Sequence, residues 1–154
     1  MDYWRQVRQC FGTERFLLTS AAGGIIRDET ILLVKHRALG VWQIPGGLQE
    51  VGESIQQTVE REIREELALT MQVDALVAVY SGIEWNIDYP DGGKIQQVLF
   101  FFAMRGPISA ITPQQEEIEA MHFFPFKQLP ENMMPCCRQK VQDLQKFTGK
   151  TLLR

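Results

Sequence analysis

The chain has 154 residues, 45% of them apolar and 23% charged, with a formal net charge of −3. That is enough chain to bury one core without a disulfide or metal staple, and residues 1–154 are read as a single domain. The acidic balance excludes a general binder of nucleic-acid polymers, whose nonspecific affinity comes from Lys and Arg neutralising phosphates.

Tyr3, Trp4, Val7, Cys10 and Phe11 recur at helical spacing, and Gly12 ends the helix they predict. Phe16 to Lys35 reads as two β-rich strands with a turn at Asp28-Glu29-Thr30. Trp42 to Gly47 (WQIPGG) reads as a constrained loop, since Pro fixes φ and Gly frees it. Ser54 and Gln57 form a capping-box pattern, followed by Ile55, Val59, Ile63 and Leu67 as one apolar stripe, so a helix is predicted over about 54–67. Val73 to Ser81 reads as a strand, Tyr89 to Gly93 (YPDGG) as a turn, and Ile95 to Met104 as a largely buried strand. Phe123 and Phe124 sit on a short strand or bend. Pro135 starts a last helix with Val141, Leu144 and Phe147 on its inner side. This order, β-rich, helix, β-rich, helix, implies the α/β class, as a sandwich around a mixed β-sheet.

The three cysteines, Cys10, Cys136 and Cys137, show no disulfide framework and no paired metal-ligand spacing. With no apolar signal segment at the start, and no run long enough to span a bilayer, a reducing cytoplasmic location is expected, with no membrane partner.

The chemistry sits on the central helix. Glu62, Glu65 and Glu66 occupy positions i, i+3 and i+4, so their carboxylates share about 100° of the helix circumference. Such like charges repel and need compensation. Arg61 and Arg64 supply part of it, and a divalent cation would supply more: clustered carboxylates with a backbone carbonyl from the Gly46-Gly47 loop make a hard oxygen site suited to Mg²⁺ or Mn²⁺. A solvated acidic helix face is the alternative.

Gly47-x5-Glu53-x7-Arg61-Glu62-Ile63-x-Glu65-Glu66-x-Ala68-Leu69 resembles the Nudix box, G-x5-E-x7-R-E-U-x-E-E-x-G-U, where U is a bulky aliphatic residue. Ala68 stands where the family has Gly, a position that suits a left-handed helix end. The resemblance implies a Nudix-like α/β/α sandwich and metal-dependent hydrolysis of a phosphoanhydride bond in a nucleoside diphosphate linked to another group. It implies Glu62, Glu65 and Glu66 as metal-binding carboxylates, one of them able to activate water, and Gly46 as a carbonyl donor to Mg²⁺ or Mn²⁺. Glu53 and Arg61 would form the ion pair that orients them. The implied substrate is a small nucleotide: a nucleotide sugar such as ADP-ribose, a nucleoside triphosphate, or a dinucleoside polyphosphate. A non-catalytic nucleotide-binding module on the same fold is the alternative.

Outside the box, Glu117 resembles by its spacing to Phe123-Phe124 the family glutamate that lies near the metals, as base or extra ligand; a solvated acidic turn is the other reading. Arg37 and Lys35 are candidates for substrate phosphates or simply exposed strand-end charges. Trp85 and Tyr89 are candidates for stacking on a base, or for packing. Trp42 is read as a core anchor, His36 and His122 as structural for want of a triad or zinc pattern, and Cys136 and Cys137 as structural. The amphipathic end segments allow a homodimer.

Overall fold

The computed structural model describes residues 3–89 and 91–154. Among these residues, ten strands and three helices follow one another. They are α1 (Tyr3–Phe11), β1 (Phe16–Gly24), β2 (Ile26–Arg27), β3 (Thr30–His36), β4 (Trp42–Gln43), β5 (Gly46–Leu48), α2 (Ile55–Leu67), β6 (Gln72–Tyr80), β7 (Asn86–Asp88), β8 (Lys94–Arg105), β9 (Ile118–Pro125), α3 (Pro135–Gln145) and β10 (Leu152–Leu153). A short 3₁₀ turn, Ile83–Trp85, precedes β7.

The strands form two sheets. A six-stranded mixed sheet runs β10-β6-β8-β1-β5, with β7 on β8; a four-stranded antiparallel sheet runs β2-β3-β4, with β9 on β3. At the centre of the larger sheet β1 and β8 pair in parallel from Phe16↔Ile95 to Gly24↔Ala103. Both faces of the strands are covered, which explains their nearly continuous apolar character. Successive residues enter opposite cores: Ala21, Leu32, Val34 and Phe102 meet Val59, Ile63 and Leu67 of α2, while Ala22, Ile31, Leu33 and Phe101 meet Cys137, Val141 and Leu144 of α3. The result is the expected α/β/α sandwich around a mixed sheet.

Most predicted elements stand where the patterns put them. Ser54 caps α2 with both arms of the capping box, and Pro135 is in the first turn of α3. The strands predicted from Phe16 to Lys35 belong to different sheets, because the chain crosses between them at Ile25; the hairpin at Asp28 joins β2 to β3. Within Trp42 to Gly47, expected as loop, Trp42 and Gln43 pair with β3 and Gly46 and Gly47 pair with β1 as strand residues. Pairing with β3 extends the Phe123-Phe124 segment to a strand of eight residues. In the YPDGG turn Pro90 lies outside the described residues, and around it the amide of Tyr89 donates to Gly93 and that of Gly92 to Tyr89. Trp42 anchors the core edge-on to Phe124, with ring centroids 4.8 Å apart. Among the described residues no helix is long and apolar enough to cross a membrane.

Candidate active site

The site is built on α2 and on the two glycines that pass beside it. Gly46 lies at φ +146°, and a side chain there would run into the backbone of Ala21 and Ala22 in β1. A Cβ on Gly47 would collide with the carboxylate of Glu62. The absence of two side chains thus lets β5 approach both β1 and the acidic face of α2.

Arg61 organises the carboxylates. Its guanidinium grips Glu53 with two bonds, Nε to Oε1 at 2.6 Å and Nη2 to Oε2 at 3.1 Å. Nη1 donates to Glu62 Oε1 at 2.8 Å and Glu65 Oε2 at 2.9 Å, and Nη2 also donates to the Leu48 carbonyl at 3.0 Å. The planar fork of arginine suits this role, where the point charge of lysine would not. Glu53 is fixed further by the amide of Glu50 and the buried hydroxyl of Thr58. The Arg61 bond, together with these two donors, holds its carboxyl below the usual range. Arg61 is pushed up in turn, first by its bond to Glu53.

Glu62 and Glu66 experience the opposite effect. Burial, only partly offset by Arg61, pushes Glu62 up to about 7, with the charges of Glu66 and Glu65 adding to the shift. Glu66 is 2% exposed. Its Oε1 lies 2.8 Å from His36 Nε2, and its Oε2 accepts from the Gly46 amide at 3.1 Å. Burial raises Glu66, opposed by His36 and by that amide. For His36 burial acts downward, but the bond and charge of Glu66, with Glu117 and Glu62 beyond, raise it overall.

These groups line one end of a cleft of about 660 Å³ that runs from α2 past the faces of β1 and β8 to α1 and α3. Gly46, Arg61, Glu62, Glu65, Glu66 and Glu117 all border it. Glu117 is exposed at the mouth, where its charge acts on both His36 and Glu66. Among the described residues no three acidic, His or Cys side chains converge as a ready-made metal cluster. The reason is local: Arg61 holds Glu62 and Glu65, and His36 holds Glu66. The part of Gly46 seen on the cluster is its amide, on Glu66, rather than the carbonyl the sequence suggested.

Three expected positions need correction. Trp85 is no base platform: it is buried, its ring 4.3 Å from that of Tyr80, and it does not line the cleft, because α3 closes over the 3₁₀ turn. Arg37 is turned from the cleft, donating from Nε to the Gln115 carbonyl at 2.7 Å, so it braces the loop that carries Glu117. His36, read as structural, lies against Glu66; it shares a strand face with Leu32 and Val34, and that period of two was its signal. Tyr89 does line the cleft, at the end where α1 brings Trp4 and Arg8, residues with no motif to mark them. At the α3 end Cys137 receives a hydrogen bond from Cys136 that brings its thiol down despite burial, helped by Lys140, while Cys136 is driven up.

The family model described as NUDIX domain matches residues 17–144. An ADP-ribose pyrophosphatase of Methanocaldococcus jannaschii is 33% identical over 115 residues, covering 72% of this chain and 64% of that protein. A MutT-like protein of Streptomyces ambofaciens is 40% identical over 62 residues, 40% of each chain. The chain thus spans less than two thirds of either relative. Among solved structures, a MutT protein from Methanosarcina mazei superposes with a TM-score of 0.71 at 18% identity, covering 86% of this chain and 96% of that one. An ADP-ribose pyrophosphatase from Streptococcus suis superposes with a TM-score of 0.66 at 22% identity, covering 89% and 98%. The two structures show the fold, and the match of the family model over residues 17–144 shows that the chain belongs to the Nudix family.

Proposed function

We propose that this chain, as a single domain, hydrolyses a phosphoanhydride bond in a nucleoside diphosphate linked to another moiety, either a nucleotide sugar such as ADP-ribose or a nucleoside triphosphate. The observation that carries the reading is the row of Glu62, Glu65 and Glu66 on α2, the first two held by Arg61 and the third by His36, at the end of a nucleotide-sized cleft.

The donor set fits Mg²⁺ or Mn²⁺. It is all oxygen, it carries excess negative charge, and Gly47 keeps side-chain bulk away from Glu62. Glu62, Glu65, Glu66 and the Gly46 carbonyl would hold the ion. When bound, the ion supplies charge neutralisation on the phosphates and a lower pKa for an attacking water. The chain's own groups do the rest. Arg61 and Glu53 fix the helix-borne carboxylates. His36 holds Glu66 in place. Glu117, at the mouth, accepts a proton from water. Tyr89 lies where a base or sugar would rest. The three cysteines are free thiols, consistent with a reducing cytoplasm, and the end segments suit a homodimer.

A second reading is nucleotide binding without turnover, favoured by one observation: Arg61 already pairs with Glu62 and Glu65. A hydrolysis screen over nucleotide sugars, triphosphates and dinucleoside polyphosphates, with Mg²⁺ and with Mn²⁺, decides between them. Metal-dependent turnover of one class, lost in Glu65→Gln, supports the enzyme. Binding of metal and nucleotide without turnover supports the module.

A further inference from the structure

Away from the acidic end, the floor of the cleft holds a buried hydroxyl with no partner and a buried lysine whose ammonium meets only a thiol and an aromatic face among the described residues. Alternation along β1 puts Leu18, Ser20 and Ala22 on one face, and along β8 it puts Ile95, Gln97 and Leu99 there. The register Leu18↔Gln97 and Ser20↔Leu99 makes Ser20 and Gln97 diagonal neighbours. They interrupt an otherwise apolar face, between the cluster of Phe16, Leu18 and Ile95 and the cluster of Ala22, Ile44 and Leu99. Ser20 is 2% exposed and its Oγ has no hydrogen-bond partner among the described residues. An orphaned buried hydroxyl costs stability and calls for an explanation.

Lys140, from α3, lines the same cleft and is 4% exposed. Its ammonium lies 3.9 Å from Cys137 Sγ and 5.4 Å from the centre of the Trp85 ring. Cys137 Sγ is the acceptor it reaches among the described residues, where no carboxylate comes within ion-pair distance, so an ammonium buried here has further N–H groups to satisfy. An ammonium offers three donors and no acceptor. The group that completes this floor must therefore present acceptors, on a flat body that fits between apolar walls.

We propose that Lys140, with Ser20 and Gln97, forms a base pocket that selects nucleotides carrying a keto nucleobase, a 6-oxopurine or a 4-oxopyrimidine, over those carrying adenine or cytosine. The carbonyl edge of a keto base presents acceptors to these donors; the amino group of adenine or cytosine would point its own N–H bonds at an ammonium. This rests on the reading of the cleft as a nucleotide site, and within the proposed class it favours guanine and uracil nucleotide sugars or triphosphates over ADP-ribose.

The test measures calorimetric binding of GDP, UDP, ADP and CDP to the wild type, Lys140→Met and Ser20→Ala. Alongside it, metal-supported hydrolysis of the same four nucleotides linked to glucose is followed. The expected result is a preference for GDP and UDP of about ten-fold or more, the scale of one well-placed contact to a base edge. Lys140→Met brings that preference to within about three-fold by weakening GDP and UDP while ADP and CDP change little. Ser20→Ala, which removes one hydroxyl and leaves the fold intact, narrows it to a lesser degree. A wild type that binds ADP or CDP as well or better overturns the proposal. So does a Lys140→Met protein that loses all four nucleotides alike, the mark of a phosphate contact or a structural role. If Lys140→Met does not fold, an unchanged preference in Ser20→Ala overturns it. Binding in the expected order without hydrolysis would defeat the proposed reaction but not this pocket, whereas hydrolysis with the order reversed would defeat the pocket alone.

Discussion

Arg61 and Glu62 show how one pair of neighbours carries opposite demands. Arg61 spends its N–H groups on three carboxylates and a carbonyl, an arrangement only a planar fork can satisfy. Arg61→Lys is therefore expected to lower kcat/KM by about 10–100-fold, the range for residues that orient metal ligands. Steady-state kinetics with Mg²⁺ checks it, and a loss under about three-fold would remove Arg61 from that role. Glu62 is perturbed by burial. In the folded, metal-free protein it keeps its proton up to about pH 7, whereas the unfolded chain releases it near 4.5. The folded state then binds more protons in that window, so stability falls as pH rises from 4.5 to 7. Thermal unfolding in a chelator should show this slope in the wild type and a flatter one in Glu62→Gln; equal slopes would place the titration elsewhere. Glu66 also shows what a residue pattern conceals. It falls on the face of Val59 and Ile63, seven and three positions on, yet a carboxylate is read as polar, so its burial and its His36 partner were legible only with the stripe counted residue by residue.

At the scale of elements, α2 was the most legible because several local signals coincide. The Ser54-Gln57 box fixes its start, the i, i+4 stripe its buried face, and Ala68 its end, at φ 56°, ψ 27°. A left-handed alanine costs about 1 kcal/mol against glycine, so Ala68→Gly should raise stability by about that amount. Because Ala68 touches no ligand group, kcat should hardly move; denaturant unfolding and steady-state kinetics on the same variant test both halves. The β5 strand escaped the sequence because its pairing is with β1, a contact that local composition cannot announce. The floor of the cleft was illegible for the same reason. Ser20 and Gln97 become neighbours only through parallel pairing of β1 with β8, and Lys140 arrives from a third element. Trp85 was misplaced because the reading stopped at its loop and did not bring α3 over it.

Across the whole molecule, the C-terminal segment ties the large sheet to α3. Arg154 Nη2 meets Asp143 Oδ1 at 2.6 Å, and Tyr80 donates from its hydroxyl to Asp143 Oδ2 at 2.8 Å. Burial alone would raise the Asp143 carboxyl, but Arg154, Tyr80 and Gln139 together hold it below its usual value. A depressed carboxyl adds stability above its unfolded pKa near 3.8, which is lost as pH falls through the folded value. Asp143→Asn should cost about 2 kcal/mol at neutral pH and weaken the acid dependence of unfolding below pH 3.8. Chemical denaturation at pH 7 and at pH 3 measures both, and a neutral variant would mean the triad stabilises nothing.

The parallel pairing of β1 with β8 also governs the order of events as the polypeptide leaves the ribosome. β1 emerges early but has no central neighbour until the segment from Lys94 to Arg105 has been made, long after α2. Until then the edge of β1 that β8 will cover stands open, with only the short β5 on the other, and α2 has only part of the surface it covers. Nascent chains stalled before β8 should depend on chaperones and be sensitive to protease, and release from that state waits on a long-range encounter rather than on any local step.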